Sequence, residues 1–352
     1  MTDIIRPASV QAPVPAPKGT GIGAASTTKS APCTCAAMAP LPHGSRIALV
    51  SPASPPPSES IDAAVLMLRQ WGFDVVEGEH LRDVNRHLPY LAGEDDDRAL
   101  DVQRTLCDDG IDAVMCARGG YGSARILPFL DAQAIREARP KPFFGSSDIT
   151  ALHAWLFETC GRPGWFAPMP ATTAVLDDAV ARDGLRRAMD RGLPPHGIRL
   201  VSTDAQGSDH HAHGVRGVIR GGNLSLLAQG CAGQGRHGFD EPTIALIEEV
   251  HEPAYHIDGL LQELLRGGWF RNVRAIALGS WLDCADTETI ANIVEDNLHG
   301  LGIPIAYGFD FGHGPQASTV PLGVRGRLDI DDGGATLECG ASPTNKERKD
   351  ID

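Results

Sequence analysis

Short apolar runs alternate with segments of helical periodicity through residues 47–158, and this alternation limits the fold more than any other feature of the chain. The first apolar run, Ile47–Val50, is followed by apolar residues at helical spacing over 58–71. Further strands are predicted at 73–76, 111–116 and 142–145, with helices around 95–107, after Gly122 and over 148–158. Repeated strand–helix units of this kind fold into a mostly parallel sheet that is covered by helices on both faces. The predicted fold class is therefore α/β, with a doubly wound N-terminal sheet.

A second α/β unit is predicted after a change of composition. Residues 161–215 are rich in Pro, Gly, Asp and His and contain only short periodic segments, so we interpret 171–214 as an inter-domain linker. Beyond the linker, strands are predicted at 217–219, 243–247, 275–278 and 303–306, with helices near 255–265 and 287–298. We therefore expect two domains, at 44–170 and 215–340, of which the second is smaller and less regularly wound.

The two ends of the chain are predicted to lie outside these domains. Residues 1–43 are dominated by Ala, Pro, Ser, Thr and Gly, with almost no large apolar side chains. Such a segment cannot bury enough surface to offset the entropy that ordering costs, so we interpret it as a disordered tail. Residues 341–352 are interpreted as a polar tail.

Charge and cysteine usage narrow the class of protein. The formal net charge of −14 opposes binding to nucleic acid or to an anionic membrane, so a small molecule is the expected partner. No apolar stretch approaches the roughly 20 residues of a membrane span, and no secretory signal is visible. The eight cysteines are scattered without a CxxC pair or a regular framework spacing. We interpret them as reduced thiols and expect a cytoplasmic protein.

The most informative segment is KPFFGSSDITALH at 141–153, an apolar strand that turns through small residues into a helix. Ser147 lies at this elbow, where its hydroxyl would stand at the carboxyl edge of the sheet, beside helix-start N–H groups that can hold an oxyanion. This position favours Ser147 as a nucleophile. The alternative is that Ser147 and Asp148 only cap the helix. The segment is not the GxSxG elbow of the α/β-hydrolases, because Ile149 occupies the place of the second glycine.

A glycine-rich loop, ARGGYGSAR at 117–125, also follows a predicted strand and precedes a helix. Glycines at such a point allow a ligand to approach the backbone, which indicates an oxyanion or substrate-anion cradle. A dinucleotide phosphate loop and a plain tight turn are the alternatives, although the glycines lack GxGxxG spacing. Because both loops follow strands of one sheet, we expect them to share a cleft.

A nucleophilic serine needs a base, and His313 is the best placed of the 13 histidines. It lies in the loop GFDFGHGP, just after the predicted strand at 303–306, although a histidine in a surface loop is the alternative. An acidic partner would orient its ring. The strand at 243–247 runs directly into Glu248 and Glu249, and carboxylates at the end of a buried strand are costly unless they are used or paired. We expect Glu249 to lie at a solvated rim.

Other clusters are weaker indications of chemistry. The run Asp209–His213 looks like a metal site, but it lies in a polar segment and has no HExxH or cysteine companions. Neither it nor Cys33 and Cys35 is expected to bind a metal. Trp269, Phe270 and Trp281 are expected in the core rather than in a binding platform.

Five segments together carry a family resemblance. They are RGGYGSARIL, FFGSSDITALH, IRGGNLSLL, IALIEEVHEPAYHIDGLL and YGFDFGHGPQASTVPLG. In order and spacing they resemble the serine-peptidase family of LD-carboxypeptidases, the muramoyltetrapeptide carboxypeptidases, which also includes the microcin C immunity peptidases. The resemblance covers residues 44–340. It departs from the family pattern at Ser146, where an aromatic residue is usual, and at Phe166–Pro168, where His-Gly-Pro is common.

The resemblance implies a site and an activity. Ser147, Glu248 and His313 would form the triad, with the N–H groups of Gly120 and Asp148 as the oxyanion hole. A swivelling β/β/α-like second domain would bring Glu248 and His313 against Ser147. The implied enzyme needs no metal or cofactor, forms a homodimer, and removes the terminal D-Ala from murein tetrapeptides during cell-wall recycling.

Three points stay open from the sequence. The triad could instead cleave a peptidyl-nucleotide antibiotic, as the immunity branch of the family does. The chain could also be a binding module that holds a small anion at the glycine loop 119–122, with Ser147 as a cap. Asn223 either lines the cleft as a substrate-binding residue or satisfies local backbone groups beside Gly221 and Gly222.

Overall fold

The computed structural model describes residues 36–202, 212–234 and 238–340, and it contains two sheets. In chain order the strands are β1 (Arg46–Val50), β2 (Asp74–Glu77), β3 (Ala113–Cys116), β4 (Phe143–Gly145), β5 (Gly164–Phe166), β6 (Ile198–Ser202), β7 (Ala212–Asn223), β8 (Thr243–Val250), β9 (Val273–Leu282), β10 (Ile305–Ala306), β11 (Val320–Leu322), β12 (Arg325–Asp331) and β13 (Gly334–Cys339). The helices are α1 (Ser58–Gln70), α2 (Asp95–Cys107), α3 (Ser123–Ile126), α4 (Ala132–Glu137), α5 (Thr150–Cys160), α6 (Thr173–Leu176), α7 (Ala179–Arg191), α8 (Leu224–Gln234), α9 (Ala254–Arg266) and α10 (Thr287–Leu298).

The first sheet has six strands in the order β11-β5-β4-β3-β1-β2. Strands β1 to β5 are parallel, and β11, from the far end of the chain, is added antiparallel to β5. Strands β3, β4 and β5 are buried along their whole length, as expected for parallel strands that are covered on both faces. The doubly wound, mostly parallel N-terminal sheet is confirmed.

The second sheet has seven strands in the order β10-β9-β8-β7-β12-β13-β6. Strands β10, β9, β8 and β7 are parallel, and β12, β13 and β6 extend the sheet in antiparallel fashion. The predicted two-domain α/β class is therefore confirmed, with a mixed second sheet. None of the helices in the described ranges is both long and apolar enough to span a bilayer.

The predicted linker and tail differ from the structure. The segment 171–214 contributes β6 to the second sheet and two helices, α6 and α7, whose residues Val175 and Leu185 are buried. Residues 36–43 are packed rather than loose, because Met38 and Leu41 enter the core and the Leu41 N–H donates to the Met189 carbonyl at 2.8 Å. Residues 1–35, 203–211 and 341–352 lie outside the described residues, so the predicted tails, Cys33, Cys35 and most of the Asp209–His213 run are not described.

The two domains meet where parallel strands of both sheets end. One apolar cluster continues from the first sheet into the second, and the rings of Phe166 and Phe311 pack edge to face at 6.5 Å between centroids. A hydrogen bond crosses the boundary from the Asn223 N–H, at the end of β7, to Thr150 Oγ1, at the start of α5, at 3.0 Å. This contact positions the elbow after β4 against the carboxyl ends of β7 and β8.

Candidate active site

Ser147 lies in a strained elbow between β4 and α5. The chain leaves β4 at Gly145, makes a 3-10 turn over Ser147–Ile149 and enters α5 at Thr150. Ser147 has a φ of 58°, a left-handed conformation that costs a non-glycine residue about 1–3 kcal/mol and persists only where the surroundings enforce it. Neither the turn nor α5 receives a capping hydrogen bond from its N-cap side chain. Capping therefore does not account for a serine at this position.

Glu248 and His313 form a buried pair on the second domain. Glu248 Oε2 lies 2.7 Å from His313 Nδ1, and the Glu248 side chain is fully buried, whereas 24% of the His313 side chain is exposed. Ser280 of β9 fixes the histidine loop, because its Oγ accepts hydrogen bonds from the N–H groups of His313 and Gly314, both at 2.9 Å. Sequence reasoning missed Ser280, although it stands just beyond the strand predicted at 275–278.

The pKa of His313 reflects two opposing effects. Burial lowers it by disfavouring the imidazolium, but the hydrogen bond and the charge of Glu248 raise it, and the net result lies above the ordinary value of 6.5. The ring therefore holds a proton well once it receives one. A base that must take a proton from a hydroxyl and later return it to a leaving group benefits from this tuning.

The strand pairing brings the elbow that carries Ser147 to the same domain boundary as this pair. Asn223 is the register partner of Glu248 in the β7–β8 pair, and the Asn223 N–H bonds to Thr150, three residues after Ser147. Within the described ranges, the Ser147 hydroxyl makes no hydrogen bond to His313. The structure thus joins Glu248 to His313 directly, and the start of α5, three residues after Ser147, contacts the strand that pairs with Glu248.

The glycine loop after β3 covers Ser147. A Cβ atom at Gly119 would lie 2.8 Å from Ser147 Cβ and 3.1 Å from its Oγ, so only glycine allows this approach. Gly120 has a φ of 104°, and a Cβ atom there would lie 2.3 Å from Ser54 Oγ. Among the residues in the described ranges, the N–H groups of Gly120 and Asp148 donate to no other protein group. Both are therefore available to a ligand beside the serine hydroxyl.

Two sequence interpretations need correction or refinement. Glu249 is not at a solvated rim: it is 2% exposed, and its carboxylate accepts hydrogen bonds from Asn223 Nδ2 at 2.6 Å, from the Ser225 N–H at 2.8 Å and from Ser225 Oγ at 2.7 Å. The reason is that the β8–β9 register shifts between Ile247 and Glu249 while the start of α8 covers that face of the sheet. Burial raises the pKa of Glu249, and these hydrogen bonds offset part of the rise.

Asn223 also has a local role. Its side chain donates to Glu249, and its Oδ1 accepts the Leu226 N–H at 3.4 Å. Its amide therefore has partners within the protein, of which one is a backbone N–H, and a substrate-binding role stays a prediction. Of the aromatic residues expected in the core, Trp269 and Phe270 are buried.

Other candidate sites do not coincide with Ser147. A cavity of about 370 Å³ lies between α5 and α8, but Ser147, Glu248 and His313 do not line it. His80 and Asp83, on the loop after β2, and Asp97, in the first turn of α2, hold possible ligand atoms within 4.8 Å of one another. His80 Nδ1 is already hydrogen-bonded to Asp83 at 2.8 Å, so ion pairing accounts for this group.

Known protein families and relatives match most of this chain. The family model described as the LD-carboxypeptidase N-terminal domain matches residues 47–167, and the model of the C-terminal domain matches 216–328. A Streptomyces coelicolor protein named a carboxypeptidase is 39% identical, covering 85% of this chain and 94% of its own. The murein tetrapeptide carboxypeptidase of Pseudomonas aeruginosa is 30% identical, covering 82% of this chain and 94% of its own.

Two further comparisons extend this picture. The microcin C7 self-immunity protein of Escherichia coli is 26% identical, covering 83% of this chain and 93% of its own. The crystal structure of muramoyltetrapeptide carboxypeptidase from Oxalobacter formigenes superimposes with a TM-score of 0.70 at 24% identity, covering 85% of this chain and all of that one. The chain therefore belongs to the LD-carboxypeptidase family and is a peptidase-type hydrolase.

Proposed function

We propose that this protein is a serine LD-carboxypeptidase that releases the terminal D-Ala from murein tetrapeptides. The observation that carries the proposal is the fully buried Glu248, hydrogen-bonded to His313 at 2.7 Å, at the domain boundary where the elbow of the strained Ser147 contacts β7. A carboxylate, an imidazole and a hydroxyl that lie on adjoining strand ends correspond to the three roles of a hydrolytic triad. The name of the Pseudomonas relative points to a murein tetrapeptide as the substrate.

The proposed reaction proceeds through an acyl-enzyme. His313 takes the proton of the Ser147 hydroxyl as Oγ attacks the carbonyl carbon between the L-centre of diaminopimelate and D-Ala. The N–H groups of Gly120 and Asp148 hold the negative carbonyl oxygen of the tetrahedral intermediate. His313 then donates its proton to the amine of D-Ala, which leaves. Water, deprotonated by His313, hydrolyses the ester and regenerates Ser147, while Glu248 stabilises the imidazolium in both steps.

The first experiment measures D-Ala release from purified murein tetrapeptide. Wild-type protein, a Ser147→Ala variant and a control tetrapeptide that ends in L-Ala are run together. We expect release only by wild type and only from the D-terminated peptide, because loss of a triad nucleophile costs on the order of 10⁶-fold in kcat. Turnover by Ser147→Ala within tenfold of wild type would refute the assignment. A fluorophosphonate probe separates catalysis from anion binding, because a serine that only caps a helix does not react.

One observation favours a second substrate class. Tyr121, within the glycine loop, packs edge to face with Tyr90 at 5.9 Å between centroids, and about half of each residue is exposed. Exposed aromatic rings can stack on a nucleobase, and one relative is a microcin C7 self-immunity protein. If wild type releases no D-Ala yet reacts with the probe, a peptidyl-nucleotide becomes the substrate to assay, with a Tyr121→Ala variant as the test of stacking.

Location and assembly follow as further proposals from the family resemblance. We propose that the enzyme acts in the cytoplasm on recycled murein peptides and that it assembles as a homodimer. Cys116, Cys160, Cys231 and Cys339 are buried and form no disulfide within the described part of the chain, which agrees with a reducing compartment. Sedimentation equilibrium of the full chain tests the dimer, and a single species of 37.3 kDa would contradict it.

A further inference from the structure

The carboxylate of Asp148, rather than only its N–H, links the two loops that surround Ser147. Asp148 is 2% exposed, and its Oδ2 accepts the Ser123 N–H at 2.7 Å. In return, Ser123 Oγ donates to the Asp148 carbonyl at 2.5 Å. This reciprocal pair joins the end of the glycine loop to the elbow across 25 residues of chain.

The groups around the Asp148 carboxylate partly compensate for its burial. Burial raises the pKa of Asp148, whereas hydrogen bonds from Ser123 and from the Gly122 N–H, together with the charge of Arg98, lower it and offset part of the rise. Arg98 is itself buried, and its Nη1 donates to the Gly122 carbonyl at 3.0 Å. The glycine loop is thus held from one side by a carboxylate and from the other by a guanidinium.

Most other polar groups of the loop are also in use. Ser54 donates its N–H to the Gly119 carbonyl at 3.2 Å, and its Oγ accepts the Tyr121 N–H at 3.1 Å. With the Tyr121 and Ser123 N–H groups bound, the Gly120 N–H remains for an oxyanion. The Gly120 N–H belongs to the glycine loop, which the Asp148 side chain anchors. The other proposed donor to the oxyanion is the backbone N–H of Asp148 itself.

We propose that the Asp148 side chain is a positioning group that sets the separation between the Gly120 and Asp148 N–H donors of the oxyanion hole. The inference rests on the proposed serine hydrolase function and adds a role for a side chain at that site. An oxyanion hole works only when both donors reach the same oxygen at hydrogen-bond distance. The two donors come from different loops, so their separation depends on whatever joins those loops, and the Asp148–Ser123 pair does so directly.

An Asp148→Asn substitution tests this role with little change of shape. The amide oxygen can still accept the Ser123 N–H, but the neutral amide makes a weaker hydrogen bond and no longer balances the charge of Arg98, so it holds the glycine loop less firmly against the elbow. We expect kcat to fall by about 10- to 100-fold, because complete loss of an oxyanion donor costs roughly 10²- to 10³-fold. KM should change little, and the rate of fluorophosphonate labelling at Ser147 should fall in parallel with kcat.

Asp101→Asn provides a matched control. Asp101 is a buried aspartate of the same domain, and its carboxylate accepts the backbone N–H groups of Glu79 at 3.1 Å and His80 at 2.9 Å. It therefore carries the same kind of loop anchor away from the elbow. We expect Asp101→Asn to lower the thermal unfolding midpoint by a similar amount while kcat stays within about threefold of wild type.

The outcomes distinguish the two proposals. If wild type neither reacts with the probe nor turns over murein tetrapeptide or peptidyl-nucleotide, the proposed function fails and this inference fails with it. If wild type reacts and Asp148→Asn keeps the kcat and labelling rate of Asp101→Asn, only the positioning role is refuted. Should Asp148→Asn fail to fold, Asp148→Glu keeps the charge but lengthens the side chain that accepts the Ser123 N–H, and unchanged kcat and labelling rate in that variant refute the role.

Discussion

Replacing Glu248 with glutamine tests the charge of the buried pair. The substitution keeps the size of the side chain and removes the negative charge next to His313. In the structure, Glu248 Oε2 lies 2.7 Å from His313 Nδ1 and the glutamate is fully buried, so solvent screens the pair little. The imidazolium that forms during the reaction therefore loses its main stabilising charge.

The magnitude follows from Coulomb's law. With charge centres about 4 Å apart and an effective dielectric constant of about 20, the lost interaction is about 4 kcal/mol. At roughly 1.4 kcal/mol per tenfold change in rate, kcat/KM should fall by about 10³-fold. Loss of the correct ring tautomer would increase this effect. The acid limb of the pH profile should also move to lower pH, because Glu248 raises the pKa of His313 and its removal lets the ring lose its proton earlier.

The assay is D-Ala release followed from pH 5 to pH 9 with Glu249→Gln as the matched control. Glu249 is the adjacent buried glutamate, but it bonds to Asn223 and Ser225 rather than to His313. Its substitution should reduce the free energy of unfolding and leave most of kcat/KM intact. If Glu248→Gln retained activity within tenfold of wild type, or if both variants lost activity equally, the role of Glu248 would be refuted.

Two further variants test the packing around the elbow. His153 is buried with a pKa lowered to about 4 by burial, and its Nε2 bonds to the Gly145 carbonyl at 2.8 Å. Below pH 6.5 the unfolded chain therefore binds a proton at His153 that the folded protein does not bind. The free energy of unfolding, measured with urea, should fall by about 2 kcal/mol between pH 7 and pH 5. His153→Gln should reduce the slope of this free energy against pH. A slope unchanged in His153→Gln would contradict this. Gly119→Ala should lower kcat/KM about 100-fold or more, because the new Cβ would lie 2.8 Å from Ser147 Cβ, whereas Gly184→Ala, in open space on α7, should be neutral or stabilising. Full activity in Gly119→Ala would show that the loop is free to move.

Local patterns predicted the first domain well because its strands and helices are strongly periodic. The helix predicted around 95–107 has those bounds in the structure, where three aspartates in its first turn complement the helix dipole. The apolar run at 243–247 is also a strand, although β8 continues to Val250. In each case the signal lies within a few neighbouring residues.

The second sheet was harder to predict because its outer strands are stabilised by distant partners. Strand β12 reads RGRLDID, a mixture of charged and small residues, and β11 reads VPL with a proline, so neither carries a clear strand pattern. Strand β6 lies in the segment taken as a linker, and it is ordered by pairing with β13. Such partners are invisible in a single sequence.

The site shows the same division between local and long-range information. Ser147 could be singled out from its elbow, and His313 from its position after a strand. The burial of Glu249 could not be predicted in this way, because it depends on Asn223 and Ser225, which lie 26 and 24 residues earlier in the chain. A buried carboxylate that accepts four hydrogen bonds, the fourth from the Val250 N–H, has the partners that its burial requires, so it needs no catalytic role to be retained.

In the proposed mechanism the nucleophile lies on one sheet and the base on the other, so catalysis would depend on how the domains dock. The apolar cluster that includes Phe166 and Phe311 spans both domains, and apolar burial contributes about 25 cal/mol per Å². The hydrogen bond from Asn223 to Thr150 contributes only about 1 kcal/mol. It nevertheless ties the start of α5, and so the Ser147 elbow, to the strand that pairs with Glu248. Since a displacement of about 1 Å can cost roughly 10²-fold in rate, this bond matters more for the position of the nucleophile than for the stability of the fold.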